Sequence, residues 1–200
     1  MSSVIRHTWI EDALTAFRAH FKECDYEVPE KVRVSIGFGK GPAKHGKISL
    51  GQCFDKINSA DGHYELFISP QVGAKGESEA DKLNTINILE TIAHEMVHAT
   101  VGNECGHRGA FVVCAAAIGF TKPWKYTPAG EKILNVINQI IAKQGLFPTG
   151  AIIPNKPKQG KSLIKCQCDQ CDFKAYITYK MMEEHGTPIC PNDRDIMYCE

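Results

Sequence analysis

Apolar residues recur every three to four positions between residues 8 and 23. Trp9, Ile10, Ala13, Leu14, Phe17 and Phe21 share one face, with Glu11, Asp12, Arg18 and Lys22 between them. This spacing predicts an amphipathic helix. The period then shortens. Residues 32–39, 47–53 and 63–70 alternate or run apolar between Gly- and Pro-bearing turns, which predicts three short strands. Ser78 followed by Asp81 resembles a capping box and opens a predicted helix over 79–101, with Gly102 as its stop. A very apolar helix is predicted over 109–118, closed by Gly119. A third spans about 128–144, with Ile133, Leu134, Ile137, Ile140 and Ile141 on one face.

Composition changes the picture at residues 147–162, where three Pro, two Gly and three Lys make a linker. Some 38 residues follow, too few to bury a self-sufficient core without a staple. The chain of 200 residues thus reads as one medium domain with a small appendage. Its 23 Lys and Arg balance 23 Asp and Glu, so no global polycation argues for nucleic acid. The first residues carry scattered charge and no apolar core of a signal peptide. The longest uncharged apolar run, 109–121, is too short for a bilayer. The expectation is an intracellular, cytoplasmic monomer away from membranes. In that setting the nine cysteines read as reduced thiols and metal ligands rather than a disulfide scaffold.

Candidate chemistry concentrates in "ETIAHEMVHATVGNECGHRGAF", residues 90–111. On a helix His94 and His98 project from one face, a turn apart, and both imidazoles reach a single zinc ion. Glu95, one step around, is placed to hold a water at the metal and take its proton as the water attacks a carbonyl. The bland alternative is a helix that merely carries two histidines. Against it, the surrounding Ile86, Leu89, Ile92, Ala93, Met96 and Val97 would bury all three polar side chains, and a metal satisfies them together. A catalytic zinc needs a third protein ligand. The longer metzincin pattern would require Gly at 101 and His at 104, where this chain has Val101 and Glu104. The candidates past Gly102 are Glu104, Cys105 and His107. His107 is preferred, because the Gly102–Gly106 turn brings the chain back and His107 immediately precedes the next helix.

The order "FISP…HEMVHATVG…GHRGAF…IGFT…TPAGEKI" resembles the SprT-like zinc metalloproteases, especially the compact members of phages and bacteria. That family includes the eukaryotic protease Spartan. The resemblance covers about residues 60–195. His107 and Phe111 fall in register with the family's third zinc histidine and its following Phe, whereas Arg108 stands where the family usually has Gly. It implies a catalytic zinc held by His94, His98 and His107, with Glu95 as base. It also implies a zincin-like α+β domain with a small antiparallel sheet and an active-site helix.

The appendage carries a second ligand set. Cys168 and Cys171 form a knuckle, and Cys190 follows at zinc-ribbon distance. Position 193, where a fourth Cys or His belongs, is Asp193; Cys166, His185 and Cys199 rival it. The pattern also resembles the family's C-terminal ribbon. A structural zinc is therefore expected beside the catalytic one, with a metal-free ribbon as the alternative. The expected organisation is a catalytic domain over 1–150, a linker over 151–162 and a zinc ribbon over 163–200.

Residues 31–54 carry Lys31, Arg33, Lys40, Lys44 and Lys47 with no acid before Asp55, interrupted by Phe38 and Phe54. The linker adds Lys156, Lys158, Lys161 and Lys165. Such stretches neutralise phosphates, and aromatic neighbours stack on unpaired bases; equally, they serve as solvated faces. The resemblance favours DNA, since SprT-like proteases act on proteins attached to it. The expected function is zinc-dependent peptide hydrolysis directed at DNA-bound or DNA-crosslinked proteins. Single-stranded DNA would then be held through Lys40, Lys44, Lys47, Lys161 and Lys165. The rival is a DNA- or protein-binding module on a protease-like scaffold with little turnover.

Overall fold

The computed structural model describes residues 6–37, 49–74, 76–152 and 163–199. The chain is mixed α+β and divides into two compact units, Met1–Ile153 and Pro154–Glu200. Among the described residues no helix is long and apolar enough to cross a membrane.

In the first unit, helix α1 (Arg6–Glu23) buries Trp9, Ile10, Ala13, Leu14, Phe17 and Phe21. Trp9 anchors it twice, by donating from Nε1 to the Gly145 carbonyl at 3.2 Å and by an edge contact with the Phe147 ring. Strands β1 (Val32–Ile36), β2 (Gly51–Phe54) and β3 (Tyr64–Ile68) form a sheet in the order β1-β3-β2. Leu66 at its centre pairs with Val34 on one side and Cys53 on the other and is fully buried.

The expectation of an antiparallel sheet is corrected here. β2 and β3 are antiparallel, but β1 and β3 are parallel. The short turn through Asp55–His63 returns the chain beside β2. That places β3 between its predecessors, and β1, on its far side, runs parallel to it.

Helix α2 (Glu79–Val101) opens on a complete capping box. The Ser78 side chain accepts from the Asp81 amide, and the Asp81 carboxylate accepts from the Ser78 amide. It ends at Gly102, whose φ of 88° is open to glycine and costly for other residues. Ile88, Leu89, Ile92, Ala93, Met96 and Val97 bury it in the unit's core with Phe111, Ile118, Ile133 and Ile137. Helix α3 (Ala110–Ile118) and helix α4 (Glu131–Gln144) complete the unit. Helix α4 starts three residues later than its apolar period predicts because Thr127 has a φ of +40° and the Pro128 carbonyl, which a helix from 128 would need as an acceptor, takes the Thr121 amide at 2.9 Å. Ala129 donates to Glu90 at 2.8 Å, and Gly130 donates to the Gly119 carbonyl at 2.9 Å.

The second unit holds strands β4 (Ile164–Gln167), β5 (Lys174–Ile177) and β6 (Tyr198–Cys199) in an antiparallel sheet ordered β5-β4-β6, with helix α5 (Tyr179–His185). Its buried apolar set is Ile164, Cys166, Cys168, Cys190 and Met197, three of the five being cysteines. The expectation of reduced thiols throughout is also corrected. Cys166 and Cys199 face one another across β4 and β6 and form a disulfide. Adjacent strands bring the two Cβ atoms of a facing pair within bonding reach of two sulfurs, whatever their distance in sequence.

Candidate metal centres and catalytic cleft

Helix α2 places His94 and His98 on one face, one turn apart. After Gly102 the chain winds back through tight turns, with Gly106 donating to the Asn103 carbonyl and Arg108 to that of Cys105. The return sets His107 Nε2 3.0 Å from His94 Nε2 and 3.3 Å from His98 Nε2. Nitrogens bound tetrahedrally at a zinc–nitrogen length of about 2.05 Å lie roughly 3.3 Å apart. The three rings therefore already stand at ligand spacing, and they could hold a metal ion. Phe111, fully buried, supports all three from below, its ring centroid 4.5–5.1 Å from theirs.

The electrostatics agree with the geometry. Burial, then the neighbouring His98 and His107, pulls the His94 imidazole down to about 3. Burial and then His107 pull His98 down to about 4. His107 is lowered by burial and by Lys125. Neutral imidazoles are the form that binds a metal, so the lowered values are compatible with a cation among the three rings.

Glu95 is buried at 6% exposure beside this cluster. Desolvation pushes its carboxyl up to about 8, against the lowering effect of the Cys53 backbone N–H that donates to it. Strand β2 can lie this close only because residue 51 is glycine. A Cβ there would stand 2.5 Å from both Glu95 Oε1 and Thr91 Cγ2. Glu95 and the three histidines line a cleft of about 600 Å³, walled by β2 on one side and by Lys125, Tyr126 and Thr127 on another. Asn103 ties the two walls of the turn region, donating from Nδ2 to the Cys53 carbonyl at 3.3 Å.

The second ligand group lies in the second unit. Cys168 Sγ and Cys190 Sγ are 3.3 and 3.4 Å from Asp193 Oδ2, and Cys171 Sγ is 3.5 Å from Cys190 Sγ. All four donors fall within 4.8 Å of one another and could hold a metal ion. Two amides turn toward the sulfurs, Gln170 N–H to Cys168 at 3.4 Å and Asn192 Nδ2 to Cys171 at 3.5 Å. Of the rivals to Asp193, Cys166 and Cys199 are spent on each other. His185 is exposed at the end of α5 beside Glu184.

The basic stretch fares differently. Lys40, Lys44, Lys47, Lys161 and Phe38 lie outside the described residues. Arg33 is neutralised: it pairs with Asp61 at 2.8 Å and with Glu65 across the β1–β3 ladder. Those acids belong to later segments, so a linear count of charge around Arg33 misses them. Lys165 lies on the outward face of the second sheet, where Tyr176 is its direct cross-strand partner. Lys174 and Tyr198 flank Gln167 on that same face, both exposed.

Thr127, Cys53, Gly51 and Phe111's contact with the rings are the parts of the site that periodicity does not announce. Each is set by tertiary approach rather than by spacing along a helix. Comparisons with protein-family models, curated proteins and solved structures find no match for this chain.

Proposed function

We propose that the chain is a zinc-dependent metallopeptidase of the SprT-like kind, with a zincin-like first unit and a zinc ribbon as its second. The observation that carries this reading is the convergence of His94, His98 and His107 at zinc-ligand spacing, with the buried Glu95 beside them in an open cleft. Zinc at the three nitrogens would acidify water and polarise a carbonyl. Glu95 takes the proton of the attacking water and hands it to the leaving amine. Its raised pKa suits a group that must both accept and return a proton near neutrality, and a cation on the histidines would draw that value down. Peptide is the substrate class that fits a cleft walled by the edge strand β2, along which an extended chain can lie.

A nucleic-acid partner rests on one feature of the second unit. The outward face of β5-β4-β6 presents Lys165, Lys174, Tyr176 and Tyr198, which offer charge for phosphates and rings for bases. Proteins bound or crosslinked to DNA are accordingly the proposed substrates. The test is proteolysis of a protein substrate by wild type and His98→Ala, with and without single-stranded DNA, paired with zinc analysis. Cleavage that requires zinc and His98 supports the hydrolase. Full zinc with no cleavage under any condition would favour the binding-module alternative, and indifference to DNA would leave a plain peptidase.

A further inference from the structure

The loop ahead of α4 presses one side chain onto the metal cluster. Thr127 is 1% exposed, and its Oγ1 lies 2.7 Å from His94 Nδ1. Its φ is +40°, a region that β-branched residues seldom occupy. The surrounding bonds hold it there. Its own amide donates to the Pro123 carbonyl at 2.9 Å, Thr121 Oγ1 donates to the Pro128 carbonyl at 3.1 Å, and Ala129 is fastened to Glu90 on α2. The other helical histidine shows no such support, for His98 Nδ1 is buried with no hydrogen-bond partner among the described residues.

We propose that Thr127 is the positioning residue of the histidine cluster, fixing the tautomer of His94 by accepting a hydrogen bond from its Nδ1–H. The inference rests on the metal centre of the function proposed above, not on its peptidase activity. A neutral imidazole carries one proton. Placed on Nδ1 and donated to Thr127 Oγ1, it leaves the Nε2 lone pair facing His98 and His107, the arrangement a metal requires. Placed on Nε2 it would point a hydrogen into the hub and block the ion. An acceptor opposite the far ring nitrogen both orients the ring and raises its basicity as a ligand. This gives a reason for keeping a threonine in a strained backbone: the strain aims Oγ1, and the loop bonds sustain it.

The test uses the full chain as wild type, Thr127→Val and Thr127→Ser. Valine keeps the β-branch and the volume but removes the acceptor; serine keeps the acceptor. In the metal-free proteins, ¹⁵N resonances of the His94 ring report the tautomer. Competition titration against a chromophoric chelator reports affinity for the zinc equivalent that His98→Ala abolishes. The expected result is an Nδ1–H tautomer in wild type and Thr127→Ser, lost in Thr127→Val. Zinc affinity should fall roughly 10- to 100-fold in the valine variant and stay near wild type in the serine variant. A shared thermal midpoint for the three metal-free proteins separates this from a folding defect. The proposal is overturned if Thr127→Val binds zinc like wild type, if serine weakens binding as much as valine, or if His94 keeps its tautomer without the hydroxyl. It falls together with the metal centre if His98→Ala leaves zinc content unchanged. A wild type that binds this zinc yet cleaves no peptide bond sinks only the hydrolase.

Discussion

Glu95 is buried and accepts the Cys53 amide. Glu95→Gln preserves shape and keeps a carbonyl oxygen for that amide. Zinc content and fold should therefore remain, while turnover falls roughly 10²- to 10⁴-fold; hydrolysis at the wild-type rate would remove Glu95 from the mechanism. Gly51 tests the other side of the same contact. A methyl group at 51 meets Glu95 and Thr91 at 2.5 Å, and Gly51→Ala should cost about 1–3 kcal/mol in denaturant unfolding as β2 is forced off α2. An unchanged midpoint would show that the strand yields freely. The histidines and Glu95 could be read in the sequence because helical spacing alone sets their common face. Gly51 and Thr127 could not, since each matters through a neighbour more than thirty residues away.

Among the elements, α2 was the most legible: its start and stop follow from Ser78, Asp81 and Gly102, all local chemistry. Ser78→Ala removes the hydroxyl half of the capping box, leaving the backbone amide of residue 78 on the Asp81 carboxylate, and should lower stability by about 1 kcal/mol without altering metal content. Loss of zinc in that variant would mean that the helix end and the ligand turn are coupled. The sheet was less legible. Strand positions follow from alternation, but the parallel pairing of β1 with β3 depends on which strand takes the middle, and alternation is silent on that. The pairing is fastened on the surface by Arg33. The Asp61 carboxyl is held well below the ordinary range by the Ser59 hydroxyl and by Arg33, and the Glu65 carboxyl is held low by Arg33 first. Depressed carboxylates stabilise the fold above their unfolded value of about 4 and lose that contribution as pH falls through the folded value. Arg33→Ala should raise both carboxyl titration points toward that ordinary value and flatten the acid limb of the stability profile. Titrations by NMR that do not move would show that the ion pairs are ornamental.

At the scale of the molecule, the two units depend on different forces. The first buries a broad apolar set from six elements, whereas three of the five residues that the second buries are cysteines. Strong chelation should therefore expose the second unit to proteolysis and amide exchange while α1–α4 stay protected. Equal protection of both would deny the second site a structural role. The composition of the tail announced ligands and a small core, yet the pairing of Cys166 with Cys199 was hidden, because it arises from strand alignment rather than from a recognisable spacing. That bond makes the tail a covalent ring: Cys168, Cys171, Cys190 and Asp193 all lie within the 33-residue separation it closes. Closing a loop of that size removes about 4 kcal/mol of chain freedom from the unfolded tail, so the four candidate donors stay tethered to one another whether or not an ion is bound. A ring also has no free end to lose. Trypsin cutting after Lys180, whose side chain is 79% exposed, should leave a product that migrates at full mass and parts into two pieces only when a thiol is added.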